Sequence, residues 1–161
     1  MIRRALFGDI PRLVELVHAM HRASRYAVIA DIDERKLKAM LFQSIQRHGG
    51  AFEGSALVMV SETDGTVEGF IVGILTRLYD IGVELMATDW MFHCTAAARP
   101  RAAGRLLDSV IQWADRNPRV IVQRYGVTDA IGDFGRSGRL FQRRGFRQAG
   151  AIYERASQGA I

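Results

Sequence analysis

Two strand-length apolar runs, Ala56 to Ser61 and Val67 to Thr76, flank the tetrapeptide Thr63-Asp64-Gly65-Thr66. Asp-Gly supplies the positive-φ positions of a tight hairpin turn, so the two runs are expected side by side and antiparallel. Farther on, Glu84 to Cys94 reads as a strand. Residues 99–117 read as an amphipathic helix with Leu106, Leu107, Val110, Ile111 and Trp113 apolar, and Val120 to Val127 as a β-branched strand. A strand-helix-strand unit of this kind makes parallel neighbours with a right-handed crossover. A hairpin and a crossover in one chain imply a mixed sheet with helices on both faces.

The flanking segments fit that architecture. Ile2 to Leu6 reads as a short first strand. Asp9-Ile10-Pro11 reads as a helix start, since Asp caps free N–H groups and Pro is tolerated in the first turn. Leu13, Leu16, Val17 and Met20 follow at helical spacing. Asp33 is expected to cap a second helix with Leu37, Met40, Leu41 and Ile45 on one side, ended by Gly49-Gly50. Gly138 to Arg144 reads as a short helix closed by Gly145, and Gln148 to Arg155 as a last strand. The predicted order is β-α-α-β-β-β-α-β-α-β, in one domain over residues 1–161.

Composition narrows the function classes. Of the 161 residues, 48% are apolar and 24% charged, enough for a core and against a disordered chain. The single Cys, Cys94, excludes an intramolecular disulfide and a multi-cysteine zinc site. No apolar run reaches the roughly 18 residues that span a membrane. No signal-peptide segment precedes the folded-looking sequence, so a cytoplasmic setting is the expectation. Charge is unevenly placed. Residues 1–98 carry net −2 and residues 99–161 net +7, which suggests an anionic partner such as a polyphosphate ligand, nucleic acid or an acidic protein. The preference for 20 Arg over 2 Lys also fits a GC-rich codon bias.

The stretch Phe92-His93-Cys94-Thr95-Ala96-Ala97-Ala98-Arg99-Pro100-Arg101-Ala102-Ala103-Gly104-Arg105 carries the most chemistry. A strand ends, a loop of small residues follows, and a helix starts among arginines. Small residues let a ligand approach the backbone, and the free N–H groups of a helix start attract an anion. Arg99, Arg101 and Arg105 add forked donors. This is a candidate pyrophosphate cradle; a solvent-exposed helix start with Arg on its polar face would use the same residues. Neither a P-loop pattern nor the G-x-G-x-x-G dinucleotide pattern is present.

Arg99-Pro100-Arg101-Ala102-Ala103-Gly104 resembles the cofactor loop of the GCN5-related N-acetyltransferases (GNAT), Gln/Arg-x-x-Gly-x-Gly/Ala, with Ala102 in place of the first Gly. Ser137-Gly138-Arg139-Leu140-Phe141-Gln142-Arg143-Arg144-Gly145-Phe146 resembles that family's Ala/Ser-x-x-Leu-Tyr-x-x-x-Gly-Phe, with Phe141 in place of Tyr. The opening Ile2-Arg3-Arg4-Ala5 with Asp9-Ile10-Pro11 is also similar to the family's, and the resemblance covers nearly the whole chain. It implies a mostly antiparallel sheet whose fourth and fifth strands splay apart, and an enzyme that moves an acetyl group from acetyl-CoA to a primary amine by direct attack. It implies that the backbone of Phe92, His93 and Cys94 meets the pantetheine arm, that an N–H near Cys94 stabilises the oxyanion, and that residues 101–105 hold the pyrophosphate. Arg99, Pro100, Ser137 and Phe141 complete the implied cofactor contacts.

Phe141 has no proton to give a departing thiolate, so Ser137, Tyr125 or water must supply it, or the thiolate leaves unassisted; Tyr153 falls on a distal strand. Glu84, Asp89 and His93 are the candidate bases of the fourth strand, and His93 is preferred because an imidazole titrates near neutrality without a special environment. Asp89 and His93 share a face if the strand is regular, and a bulge would part them. Each is equally readable as a hydrogen-bonded strand residue. Cys94 reads as a small buried residue, since no Cys-His-Asn pattern accompanies it. His18 and His21 lack a third ligand, and Met86, Trp90, Met91 and Phe92 read as core. In the resemblance, Arg25, Tyr26 and Asp31 are acceptor contacts; as bare sequence they are a surface loop. The alternatives are a catalytically weak acyl-CoA-binding regulatory module of the same fold, and, with less support, a basic nucleic-acid-binding protein. A homodimer is compatible with the chain, and no metal or membrane partner is expected.

Overall fold

The computed structural model describes residues 1–157. Five strands form one sheet in the order β1-β2-β3-β4-β5: β1 (Ile2–Arg4), β2 (Ala56–Thr63), β3 (Thr66–Arg77), β4 (Leu85–Cys94) and β5 (Val120–Arg124). The first four are antiparallel to their neighbours, and β5 joins β4 in parallel. The helices are α1 (Ile10–Arg22), α2 (Glu34–Gln46), α3 (Ala102–Asp115) and α4 (Gly135–Gln142). The mixed, mostly antiparallel sheet with helices on both faces is thus the observed architecture.

Local chemistry explains the element ends. Asp64 (φ 48°) and Gly65 (φ 80°) turn the β2–β3 hairpin, closing the ladder at Thr63 and Thr66. Asp33 accepts the Lys36 N–H at 2.9 Å and caps α2. The strand expected over residues 148–155 is absent. Those residues carry no regular secondary structure, and Ile152 and Tyr153 are exposed. A short apolar run such as Ala151-Ile152-Tyr153 becomes a strand only where a sheet edge and a core receive it, and here neither does.

The chain forms two compact units. In the larger, residues 1–17 and 33–126, the core lies on both sides of the sheet. On one side Gly73 of β3 meets α3 so closely that a Cβ there would stand 2.6 Å from Val110 Cγ1. Leu75, Leu85, Ala87 and Ala114 pack together on that side with Trp113 and Val120. The other side carries Val58, Val60, Phe70 and Val72, all fully buried; α2 packs against β2 with Leu37, Leu41 and Ile45 buried, and α1 buries Leu13, Val14, Leu16 and Val17. The smaller unit, residues 18–32 and those from 127 on, contains α4, whose Phe141 is buried edge-to-face against Phe146.

Candidate functional site

The β4–β5 ladder is short. It pairs Leu85 with Val120 and ends at Thr88 with Arg124, while β4 runs on to Cys94. Residues 89–94 therefore have a strand partner on the β3 side only. Backbone N–H and C=O groups facing away from β3 along this stretch are a ready edge for an extended ligand. The first link beyond the ladder uses a side chain: Asp89 Oδ1 accepts the Gly126 N–H at 3.1 Å.

A bulge sits at the same place. Asp89 stands opposite Gly73 and Met91 opposite Val72, so Trp90 is an extra residue in β4. Facing residues of an antiparallel pair project to the same side. Asp89, opposite Gly73, thus projects to the α3 side; His93, opposite Phe70, projects to the other. The bulge parts the two candidate bases that a regular strand would have kept together.

The loop after β4 is tied to the β2–β3 hairpin. Glu68 is the extra residue where β3 bulges against β2, between the pairs Ser61–Gly69 and Glu62–Val67. Its Oε2 accepts the Thr95 hydroxyl at 2.6 Å, and its Oε1 takes Arg12 Nη2 at 3.1 Å. The Thr95 N–H adds a 2.9 Å bond to the Glu68 carbonyl, and Thr95 Oγ1 takes the Ala97 N–H at 3.2 Å. Arg99 pairs with Asp64 of the turn at 3.0 Å. Sequence reading passed over Glu68; the signal was a carboxylate between Val67 and Gly69 in an apolar strand, where an unpaired charge is costly.

At the entry to α3, Arg101 adopts φ +67° and ψ 5°. The left-handed residue of the loop is Arg101, so Ala102, where the motif has Gly, is already helical and buried. Gly104 is buried on the same helix, while Arg99, Pro100, Arg101 and Arg105 are exposed and Ala103 is half-buried. The loop thus presents charge outward from a tightly packed backbone.

Burial tunes the titrating groups. It pushes the Asp89 carboxyl above its usual range, opposed by the Gly126 N–H. It lowers the His93 imidazole, leaving it neutral around pH 7. It pushes the Cys94 thiol up to about 11, so the thiol stays protonated and is no nucleophile. Tyr125 is raised by burial, then by the charges of Asp89 and Asp115, so it stays a phenol. Its hydroxyl donates to Gln123 Oε1 at 3.0 Å, and Gln123 Nε2 donates to Asp115 at 2.6 Å.

Solved structures share this fold over nearly the full chain. A ribosomal-protein-alanine N-acetyltransferase from Brucella melitensis biovar Abortus 2308 is 13% identical with TM-score 0.65, covering 98% of this chain and 99% of that one. A predicted acetyltransferase with acetyl-CoA from Clostridium acetobutylicum is 13% identical with TM-score 0.69, covering 97% and 95%. Glucosamine-6-phosphate N-acetyltransferase from Arabidopsis thaliana is 8% identical with TM-score 0.68, covering 97% of each chain. The chain has the GNAT fold. No protein-family model and no curated protein sequence matches it.

Within this GNAT fold, the remaining expected site residues lie in the smaller unit. Arg25 Nη1 donates to Asp129, and Arg25 Nη2 reaches Glu154 at 3.1 Å. The Tyr26 hydroxyl donates to Glu154. Both carboxylates are held below their usual range, Asp129 by Arg25 and Glu154 by Tyr26 and then Arg25. Arg25 and Tyr26 thus enter the fold as an ion-paired cluster, a partnership with residues more than 100 positions away that local sequence does not reveal. Asp31 is exposed. Ser137 is exposed on α4, and Phe141 is in the core of that unit. Among the described residues no group of three or more His, Cys, Asp or Glu could hold a metal ion, and no helix is long and apolar enough to cross a membrane.

Proposed function

We propose that this protein is an acetyl-CoA-dependent N-acetyltransferase, with residues 1–161 as its catalytic domain and a primary amine as acceptor. The observation that carries the reading is the early end of the β4–β5 ladder, which leaves residues 89–94 open to an extended ligand beside an arginine-bearing loop. A pantetheine arm has amide donors and acceptors at strand-like spacing and suits such an edge. The pyrophosphate suits the α3 entry with Arg99, Arg101 and Arg105. The similar structure with acetyl-CoA supports the same donor here.

Acetyl-CoA supplies an activated thioester when bound. The chain's task is then to place the amine, receive its proton and polarise the carbonyl. Backbone N–H groups of Phe92 to Cys94 are the donors available for the carbonyl oxygen. Asp89 is the favoured proton acceptor. It sits where the strands part, and its raised affinity for a proton brings it toward neutral pH. His93, neutral and on the opposite face, is the second candidate. Tyr125, kept as a phenol beside Asp89, is a proton donor for the thiolate.

One observation favours a second reading, an acyl-CoA-binding regulatory module: the buried Phe141 stands where the motif has a proton-donating Tyr. A screen of amines with acetyl-CoA, reading released thiol, separates the two. Turnover with any amine supports the enzyme; saturable CoA binding with no turnover across amino acids, polyamines, amino sugars and peptide N-termini supports the module.

A further inference from the structure

We propose that the arginine face of α4 is a binding site for a phosphate monoester. Arg136 and Arg139 of α4 and Arg143 at its C-cap lie at i, i+3 and i+7, a single stripe along the helix. With Ser137 and Leu140 they line an open hollow of about 400 Å³. Like charges one turn apart repel and cost helix stability. Natural helices commonly offset this with interleaved carboxylates, yet α4 has none: its sequence is Gly135-Arg136-Ser137-Gly138-Arg139-Leu140-Phe141-Gln142.

Three carboxylates of this unit are engaged elsewhere, and the fourth described one, Asp31, is exposed outside α4. Asp133 accepts the Gly135 N–H at 2.8 Å, and Asp129 and Glu154 are taken by Arg25 and Tyr26. No salt bridge among the described residues involves Arg136, Arg139 or Arg143. Arg144 is turned along the helix, donating to the Leu140 carbonyl at 3.1 Å. Three guanidiniums with fifteen N–H donors between them, a hydroxyl and a concave surface match a tetrahedral dianion, which accepts forked bonds from several arginines at once. A carboxylate offers two oxygens and one charge and would leave most of these donors to water.

The source of this chemistry is the phosphate of a phosphorylated amine acceptor. Only that assignment rests on the acetyl-transfer reading; the anion site stands without it. The direct test titrates the full-length ¹⁵N-labelled protein with inorganic phosphate at low ionic strength, following arginine Nε–H signals assigned with single Arg→Gln variants. Saturable shifts confined to Arg136, Arg139 and Arg143, with Arg139→Gln weakening phosphate about three- to tenfold, are the expected result. A drift without saturation, shared by the exposed Arg35 on α2, overturns the proposal, since it reports ionic atmosphere alone.

The source follows from a further titration. If a phosphorylated amine is the ligand, O-phosphoethanolamine displaces inorganic phosphate from the wild type, and Arg139→Gln weakens both. Displacement by ethanolamine as well would overturn the phosphate assignment. Failure of the inorganic phosphate titration, with acetyl transfer intact, removes the α4 site and leaves the enzyme reading in place.

Discussion

Asp89 and His93 project to opposite faces of β4, because Trp90 is inserted between them as an unpaired residue of the strand. The two candidate bases are therefore separable by mutation without disturbing a shared hydrogen-bond network. Asp89→Asn and His93→Gln preserve size and polarity while removing basicity. The Asp89 limb of the pH–rate profile is expected above the ordinary carboxyl value of 3.8, and the His93 limb below the ordinary imidazole value of 6.5. In each case activity rises with pH as the base loses its proton. Asp89→Asn is expected to lower kcat on the order of 10²-fold and to erase the acidic limb, with donor affinity little changed. If His93→Gln does this instead, the favoured base is the wrong one.

Glu68 positions the loop through Thr95. Thr95→Ala and Glu68→Gln should raise the KM for acetyl-CoA several-fold with little effect on the acceptor KM, because the loop entering α3 is freed at its first anchor. Thr95→Ser restores the hydroxyl and should restore the KM. An equal loss in both KM values, not rescued by Ser, would indicate general unfolding of the hairpin.

Arg101 combines a charge with a left-handed backbone. Arg101→Gly should relieve about 1 kcal/mol of backbone strain and raise Tm while weakening CoA. The opposite signs set it apart from an ordinary surface change. Gly104→Val tests the same segment from its buried side and should reduce CoA binding more than any one Arg→Ala in the loop. Calorimetry reads both.

His48 gives the fold an acid-sensitive point. Burial and the neighbouring Arg4 charge lower its pKa to about 4, and its Nε2 is buried without a hydrogen-bond partner. A folded-state pKa below the unfolded value means the native state excludes a proton that the unfolded chain accepts. Its contribution is therefore complete above the imidazole's ordinary 6.5 and lost as pH falls toward 4. Denaturant unfolding across that window should show a falling midpoint in the wild type and a flatter one in His48→Gln.

Much of this fold was legible in the sequence because local chemistry fixed it. Asp64-Gly65 could only turn a hairpin, Asp33 could only begin a helix of that pattern, and the β-branched run from Val120 became the parallel partner of β4. The strand expected over residues 148–155 failed because a strand exists only with a neighbour, and the apolar content of a segment says nothing about whether an edge receives it. The site was partly legible for the same reason. The loop over residues 95–105 announced itself by small residues and arginines. The Glu68–Thr95 bond and the Arg25–Asp129–Glu154 cluster join residues 27 to 129 positions apart, and no local pattern encodes them. The face of His93 relative to Asp89 depended on one inserted residue, Trp90, which shifts every side chain beyond it.

Amide hydrogen exchange along β4, with and without acetyl-CoA, tests the central claim most directly. Residues 85–88 already pair on both sides and serve as an internal reference. The open edge predicts that acetyl-CoA slows exchange within residues 89–94 and in residues 101–105 at the start of α3, leaving 85–88 unchanged. Exchange that stays the same throughout β4 and α3 at saturating acetyl-CoA, or slows only elsewhere in the chain, would contradict the assignment of this edge as the donor site.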